Sequence, residues 1–234
     1  MKKDTIAAIA TALSNSGIGI VRISGAESID IVQKIYKGKP LKTHAIHYGY
    51  IVDGKETIDE VLVMVMKGPH SFTGEDTVEI NCHGGVYVVK RVLETVIKAG
   101  ARPAEPGEFT KRAFLNGKLS LTEAESVIDI ISAGGEQARK AAVSAKEGAL
   151  YKRISAIRDK ILKILGELSA WVDYPEEDIA ELTPEELSST LSYIHEELLS
   201  LSKTYDNGRV LRNGIDTAIV GRANVGKSTL MNRF

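Results

Sequence analysis

Apolar and polar residues alternate along most of the first half of the chain, and a period of two is typical of strands with one buried face. Helical repeats at 28–36 and 86–99 separate these runs. Asp53-Gly54 lies between two of the runs and predicts a hairpin turn, because this dipeptide tolerates positive φ. The strands that the pattern predicts are 6–10, 18–24, 46–52, 58–66 and 77–82.

Beyond residue 120 the strand pattern disappears, and apolar residues recur every three or four positions. Thr122–Glu125 has the spacing of a capping box, and Thr183–Glu186 has it again with a proline in the first turn. Gly134-Gly135 interrupts the helical pattern, which resumes over most of 136–172. We expect two long amphipathic helices, joined by an acidic loop, to form an antiparallel pair with core-facing apolar stripes.

Charge is balanced, with 30 Lys+Arg against 31 Asp+Glu, which excludes binding of nucleic acid through bulk positive charge. Residues 1–118 carry 16 basic and 13 acidic groups, whereas 119–212 carry 11 and 17. The single cysteine, Cys82, excludes an internal disulfide and fits a reducing compartment. The sequence shows no signal peptide and no 18-residue apolar run, so we expect a cytoplasmic protein with no membrane partner.

Three features invite a chemical interpretation that the pattern does not favour. His83 follows a predicted strand and has no Ser or Cys as a nucleophile partner, so a structural role is favoured over that of a catalytic base. Cys82 shares a strand face with β-branched residues and is expected in the core. Asp173 and the acidic group at 176–178 are expected to form a solvated loop rather than a metal site, because no rigid spacing arranges their oxygens.

The end of the chain carries the spacing G-x-x-x-x-G-K-[ST] from Gly221 to Ser228, which is typical of a P-loop. The β-branched run Asp216–Val220 predicts a buried strand before it. In such a loop the backbone N–H groups and Lys227 bind phosphates, and the Ser228 hydroxyl ligates Mg²⁺. The alternative is a Gly-rich turn with no ligand. Because no switch or base-reading motif follows before Phe234, we expect this chain by itself to be inactive as a nucleotide hydrolase.

Four motifs in the first half of the chain need more than periodicity to explain them. They are 20–25 (Ile-Val-Arg-Ile-Ser-Gly), 71–76 (Ser-Phe-Thr-Gly-Glu-Asp), 82–85 (Cys-His-Gly-Gly) and 106–118 (Pro-Gly-Glu-Phe-Thr-Lys-Arg-Ala-Phe-Leu-Asn-Gly-Lys). With the P-loop, they closely resemble the family of tRNA-modification GTPases called MnmE or TrmE. The resemblance covers the whole chain in the family's order, and the motif at 106–118 is highly specific.

The resemblance implies an α+β N-terminal folate-binding domain at 1–118, similar to that of the glycine-cleavage T-protein, which also forms a homodimer. It implies the first part of an α-helical domain at 119–212, and the first strand and P-loop of a Ras-like α/β G domain at 213–234. Members of this family hydrolyse GTP. With the flavoprotein MnmG they add a carboxymethylaminomethyl-type group to the wobble uridine of certain tRNAs, using carbon from 5-formyl- or 5,10-methylene-tetrahydrofolate.

The resemblance also implies site residues. Reduced folate is expected at Arg22, Glu79 and Lys118. The GTPase of the family is activated by potassium-dependent dimerisation of the G domains. GTP is expected at Asn224, Val225, Gly226, Lys227, Ser228 and Thr229, with Asn224 also holding K⁺ and Ser228 holding Mg²⁺. No catalytic residue is assigned.

Alternatives stay open at the folate residues and for the whole chain. A pterin presents an amino group beside a ring N–H, which one carboxylate accepts bidentately, and Glu79 lies on the polar face of its predicted strand. The structural alternative is a salt bridge from Arg22 to Glu79, with Lys118 capping helix carbonyls. The functional alternatives are a non-catalytic folate-binding dimerisation module, and an unrelated P-loop NTPase with a regulatory N-terminal domain.

Overall fold

The computed structural model describes residues 4–43, 45–173, 183–204, 208, 217–222 and 225–233. The chain divides into two compact units, residues 1–125 and 126–234. The first unit is mixed α and β and the second is helical, as the two periodicities predict.

One seven-stranded sheet forms the first unit, with strand order β3-β4-β5-β6-β2-β1-β7. Neighbouring strands are antiparallel, except that β1 and β7 are parallel. The strands are β1 (Ile6–Ile9), β2 (Ser16–Ser24), β3 (Tyr36–Gly38), β4 (Ile46–Asp53), β5 (Glu56–Met66), β6 (Thr77–Gly84) and β7 (Arg102–Pro103), and the helices are α1 (Ser28–Ile35), α2 (Val86–Lys98) and α3 (Glu108–Leu115).

The core lies between one face of this sheet and helices α1 and α2. Every second residue of the central strands is fully buried there, because strand side chains alternate between faces. Val21 and Ile23 of β2 pack beside Val78 and Ile80 of β6, and Cys82 is 4% exposed, as expected for a core residue. Side chains at the intervening positions therefore lie on the opposite face.

The opposite face of the sheet has one covered end and one open end. At the covered end, the loop 71–76 and α3 reach over the strands and bury Ser24 and Thr77. At the other end, large apolar side chains remain between 46% and 66% exposed. We call this region the open face, and its exposed residues are Ile18, Ile46, Tyr48 and Leu62.

Two details of the first unit correct the sequence predictions. Helix α1 ends at Ile35, and the next residues form the short strand β3, because the Tyr36 ring turns into the core and its hydroxyl donates to the Tyr48 carbonyl at 2.7 Å. The capping box predicted at Thr122–Glu125 is wrong by two residues. Ser120 and Glu123 exchange the two capping hydrogen bonds instead, so the following helix starts earlier.

The other helices formed by described residues are α4 (Leu121–Ser132), α5 (Glu136–Lys146), α6 (Ala149–Asp173), α7 (Pro184–Lys203) and α8 (Lys227–Met231). The box at Thr183–Glu186 is confirmed by both reciprocal hydrogen bonds. Gly148 takes φ +77°, which separates α5 from α6 in the stretch predicted as mostly helical. Helices α6 and α7 are antiparallel as predicted, since Arg153 pairs with Glu197 and Lys160 lies over the Tyr193 ring.

The acidic group at 176–178 lies outside the described residues. Within the described ranges, no helix is long and apolar enough to cross a lipid bilayer.

Two glycines in β2 give a matched test of how tightly α2 packs on the sheet. A Cβ on Gly19 would overlap Cγ2 of Val89 in α2, whereas a Cβ on Gly17 meets nothing within 4 Å. We expect Gly19→Ala to lower the free energy of unfolding by about 1–3 kcal/mol through overpacking. Gly17→Ala should be neutral or slightly stabilising, and equal urea midpoints for the two variants would contradict this packing.

Candidate functional site

Arg22 and Glu79 meet at the boundary between the covered and the open end of the sheet. Arg22 lies in the middle of β2, directly opposite Glu79 in the register of β2 and β6. The Arg22 Nε donates to Glu79 Oε1 at 2.7 Å, and the side chains are 31% and 13% exposed. The salt bridge of the structural alternative is therefore present, and both charges remain near the surface.

Two phenylalanines flank the Arg22 guanidinium. Its Cζ lies 5.7 Å from the ring centroid of Phe72 and 5.7 Å from that of Phe109, distances at which a cation is attracted to an aromatic face. Phe72 belongs to the loop 71–76 and Phe109 to α3. Each ring comes from a different motif of the sequence, so these motifs meet around one charged side chain.

A shallow depression opens on one side of Arg22. It lies between the end of β1, Ala8 to Ala10, and the turn 104–107 that leads into α3, with Phe109 and Arg22 in its wall. Gly107 takes φ +73° in this turn, a conformation that glycine adopts without strain. The depression thus combines a largely apolar wall with a guanidinium, a combination suited to a flat heteroaromatic ring.

Lys118 lies elsewhere in the first unit. Its Nζ donates to the carbonyl of Pro69 at 3.0 Å, so it does not cap helix carbonyls as the structural alternative supposed. Its aliphatic stem passes Gly74, where a Cβ would come within 3.1 Å of Lys118 Cγ. Arg22 and Glu79 are in contact, whereas Lys118 belongs to the surroundings of the loop 71–76.

The Arg22–Glu79 pair keeps hydrogen-bonding capacity that the protein leaves unused. Among the described residues, the carboxylate of Glu79 accepts one hydrogen bond, at Oε1, and the guanidinium of Arg22 donates one, from Nε. Glu79 Oε2 and the terminal nitrogens of Arg22 are then available to a ligand with complementary donors and acceptors. These residues fit a pterin, whose adjacent N–H groups match a carboxylate.

A network of ion pairs behind the site fixes the two segments that carry the phenylalanines. Arg112 of α3 is 8% exposed and bonds to three carboxylates, those of Asp4, Glu75 and Glu108. Arg102 bonds to Asp4 at 2.8 Å and to Glu108 at 2.7 Å. Because Glu75 belongs to the loop 71–76, the network holds that loop against α3 and β1.

Hydroxyl and amide groups extend this network. Ser24 Oγ at the end of β2 donates to Glu75 at 2.8 Å and lies 2.7 Å from the Thr73 hydroxyl. Asn116, just after α3, donates to the Thr73 carbonyl at 2.8 Å. The described residues contain no buried side-chain nitrogen or oxygen without a partner, so this polar region is satisfied internally.

The network shifts the acid–base behaviour of its members. A hydrogen bond from Arg102 lowers the pKa of Glu108 to about 2, against the opposing effect of burial. The same arginine lowers the pKa of Asp4. Burial disfavours the charge on Arg112, but its hydrogen bonds to Glu108 and Glu75 outweigh that effect and raise its pKa. All of these groups are therefore charged at neutral pH.

Cys82 lies in the core as the sequence predicts, and its neighbour His83 is exposed and contacts a carboxylate. His83 Nδ1 lies 2.8 Å from Asp59 Oδ1, and the His83 backbone N–H donates to Asp59 Oδ2. This carboxylate raises the pKa of His83, and the contact ties β6 to β5. Burial raises the pKa of the Cys82 thiol to about 11, so it is protonated at neutral pH.

Only part of the P-loop can be described, because Asn224 and Asp216 lie outside the described residues. Gly226 takes φ +87° and precedes the short helix α8, in which Ser228 and Thr229 lie. Lys227 Nζ donates to the carbonyls of the loop at 3.0 and 2.6 Å.

The buried strand predicted at Asp216–Val220 is wrong where it can be seen. The described part, 217–220, forms no strand, and Val220 is 88% exposed because no neighbouring strand covers it. The glycine conformation and the lysine fit a phosphate loop, but the described residues around it form no strand.

Comparison with known proteins identifies the family. A family model described as "GTP-binding protein TrmE N-terminus" matches residues 5–118, and one described as "MnmE helical domain" matches 121–227. The chain belongs to the MnmE (TrmE) family. The ion-pair network joins two of the motifs that resemble this family, those at 71–76 and 106–118.

Curated relatives named "tRNA modification GTPase MnmE" match nearly the whole chain. The protein from Acetivibrio thermocellus is 47% identical over 239 residues, covering 100% of this chain and 52% of the relative. Those from Lactobacillus acidophilus and Thermoanaerobacter pseudethanolicus are both 49% identical, covering 98% of this chain and 51% and 52% of the relatives. The chain thus spans about half the length of the MnmE relatives it matches.

Phe72 and Phe109 are site residues that periodicity and residue type do not predict. Each lies in a quoted motif, and an aromatic residue amid polar neighbours was a signal in both cases. Their common position beside Arg22 depends on the tertiary contacts of Arg112, which periodicity does not show.

The network predicts a specific dependence of stability on pH. The pKa of Glu108 is about 2 in the folded chain, against an ordinary value of 4.5, so its contribution is complete above pH 4.5 and is lost as the pH falls towards 2. Glu108→Gln should lower the free energy of unfolding by about 1–3 kcal/mol at pH 7.

The difference between wild type and Glu108→Gln in urea unfolding should shrink as the pH is lowered through 4. Glu105→Gln is the matched control, because Glu105 is exposed and its hydrogen bonds to Glu108 come from its backbone N–H and C=O groups, which the substitution keeps. A loss of stability in the Glu108 variant that is the same at every pH would argue against an ionised, paired Glu108.

Proposed function

We propose that this chain is the folate-binding and helical part of a tRNA-modifying GTPase that acts on the wobble uridine. The names of the relatives support tRNA modification and GTP hydrolysis by the whole protein. The observation that carries the folate assignment is the Arg22–Glu79 pair, whose guanidinium lies beside two phenylalanine rings. Because the chain belongs to this family, the alternative of an unrelated P-loop NTPase with a regulatory N-terminal domain is excluded.

The proposed ligand is a reduced folate, 5-formyl- or 5,10-methylene-tetrahydrofolate. Glu79 would accept the pterin N–H donors, with Arg22 held beside the ring system by the phenylalanines. Lys118 would meet the carboxylates of the folate's glutamate, because an ammonium that now donates to one carbonyl can exchange it for a charged acceptor. When bound, the folate supplies the one-carbon unit, and the residues named here bind and orient it.

The proposed partners follow the same assignment. The flavoprotein MnmG and tRNA would meet the complete protein in the cytoplasm. GTP would bind through Val225 to Thr229, with Ser228 ligating Mg²⁺ and Asn224 ligating K⁺. The backbone of Gly226 and the position of Lys227 over the loop support the phosphate part of this proposal. A potassium-stimulated GTPase assay of the complete protein, with and without Lys227→Ala, tests it.

A homodimer through the first unit is part of the proposal. The open face of the sheet supports it, because a cluster of large apolar side chains left exposed commonly marks an interface with another molecule. A second copy would cover Ile18, Ile46, Tyr48 and Leu62, which lie on three strands of the sheet.

The folate assignment predicts a loss of affinity that is separable from a loss of stability. Glu79→Ala should weaken binding of 5-formyltetrahydrofolate about 30- to 1000-fold, since it removes two charge-assisted hydrogen bonds worth roughly 2–4 kcal/mol. The free energy of unfolding should fall by only about 1 kcal/mol, because Arg22 is partly exposed and regains water. Isothermal titration and thermal melting measure the two quantities.

Glu60→Ala is the control for this experiment. Glu60 lies on β5, which neighbours β6, and it is exposed. Its removal should leave folate affinity unchanged. If Glu79→Ala keeps full folate affinity and lowers the melting temperature instead, Glu79 is structural and the assignment fails.

The dimer assignment predicts that a charge on the open face separates the subunits. Leu62→Glu should convert a dimer to a monomer in sedimentation velocity at micromolar concentration, because the carboxylate would be buried without a partner. Tyr87→Glu introduces the same charge at a 75% exposed site on α2, on the other side of the sheet, and should leave the dimer intact. A wild-type chain that sediments as a monomer at high micromolar concentration would exclude the dimer.

A further inference from the structure

The edge of the sheet at β3 carries a concentration of positive charge that the proposed folate and nucleotide sites do not use. Residues 31–52 contain no acidic residue, although acidic and basic residues are equally common in the chain as a whole. Four lysines lie in the first part of this segment, and all four are exposed. We call this group the basic edge, and it consists of Lys34, Lys37, Lys39 and Lys42.

The charge of the basic edge is not neutralised by described carboxylates. Its lysines take part in none of the ion pairs among the described residues. Of the acids that flank the segment, Asp53 is already bound by Lys98 at 2.8 Å. The other flanking acid, Asp30, lies one turn before Lys34 on α1. The positive charges of the three lysines beyond Lys34 are therefore not compensated.

The backbone that carries these lysines is held in place. The Tyr36 ring packs against Gly38 and Gly49, leaving no room for a Cβ on either, and so locks β3 to β4. The Leu41 N–H donates to Gln33 Oε1 at 3.0 Å, and the His47 ring lies 2.9 Å from the Lys42 backbone. A fixed backbone lowers the conformational entropy lost when the lysines bind a partner.

Protection of the sheet edge explains only part of this pattern. Lysine on an edge strand discourages pairing with other strands, and Lys37 on β3 fits that role. Lys39 and Lys42 lie beyond the end of β3, in the connection to β4, and are not strand residues themselves. Their common positive charge is suited to a polyanionic partner, because a lysine ammonium binds phosphate as a point charge and does not require one particular geometry.

We propose that the basic edge contacts the phosphate backbone of tRNA. The inference rests on the proposed function for its partner, since RNA is the polyanion on which such an enzyme acts. Contacts to phosphates position a nucleic acid without reading its sequence, so the basic edge orients the tRNA and leaves the choice of base to other parts of the assembly. The four lysines of the basic edge are distinct from the four residues of the open face.

The test is tRNA binding by the whole chain with three lysines neutralised. This triple variant is Lys37→Gln/Lys39→Gln/Lys42→Gln. It leaves Lys34 unchanged, because the positive charge of Lys34 stabilises the C-terminal end of α1. Binding of a fluorescent tRNA transcript, followed by anisotropy at 50 to 200 mM KCl, should weaken about tenfold at the lowest salt. The slope of log K against log[KCl] should become less negative by about 2–3, because each phosphate that a lysine no longer neutralises changes it by roughly 0.9.

Lys55→Gln/Lys67→Gln/Lys90→Gln is the matched control. It makes the same change in net charge at three exposed lysines of the first unit. Its tRNA affinity should stay within about twofold of wild type. Equal weakening by both triple variants would mean that the interaction reflects net charge alone, and it would overturn the assignment to the basic edge.

Lysine acetylation read by mass spectrometry locates the contact independently. The tRNA should protect Lys37, Lys39 and Lys42, and leave Lys55 and Lys90 reactive. If raising the protein concentration without RNA protected the same lysines from acetylation, the partner of the basic edge would be a protein. That result would overturn the proposal. A wild-type chain that binds folate but no tRNA at 50 mM KCl would exclude this contact while leaving the folate assignment standing.

Discussion

The buried guanidinium of Arg112 joins parts of the first unit that are far apart in the sequence. It bonds to Asp4 near the start of the chain, to Glu75 in the loop 71–76 and to Glu108 one turn earlier on its own helix. Arginine keeps its proton at any physiological pH, so this charge demands carboxylate partners wherever it is buried. The loop and α3 can therefore occupy only positions that keep these ion pairs intact.

The ion pairs of Arg112 also determine the geometry of the candidate site. Phe72 precedes Glu75 by three residues, and Phe109 precedes Arg112 by three residues on α3, so fixing the ion pair between Glu75 and Arg112 fixes both rings. The rings in turn confine the Arg22 guanidinium, whose Nε points to Glu79. A rigid outer group of charges thus holds an inner group that keeps unused hydrogen-bonding capacity, which is the arrangement a preorganised binding site requires.

Local patterns in the sequence predict most of the elements but not this arrangement. The strands of the sheet and the amphipathic helices follow from periods of two and of three to four residues, because each element buries one face. The order of the strands and the short strand β3 depend on contacts such as that of Tyr36 with Gly49, which are distant in sequence. Thr122–Glu125 failed as a capping box because Ser120–Glu123 has equally good spacing two residues earlier, and only the position of the helix decides between them. The motifs at 71–76 and 106–118 pointed to the site without revealing that ion pairs join them.

The Arg22–Glu79 salt bridge does not by itself favour a structural role over folate binding. Because the Arg22 side chain is 31% exposed, its ion pair contributes at most about 1 kcal/mol to the free energy of unfolding. Burying the Glu79 carboxylate to 13% exposure has a desolvation cost of comparable or larger size. Stability alone would be served equally well by two apolar residues at these facing positions of β2 and β6, between Ile20 and the phenylalanines. A charged pair with a free carboxylate oxygen, placed where the covered end of the sheet meets the open end, is more useful to a ligand than to the fold. Binding and pairing are compatible, because each oxygen of Glu79 has two lone pairs and Arg22 uses one of its five donors.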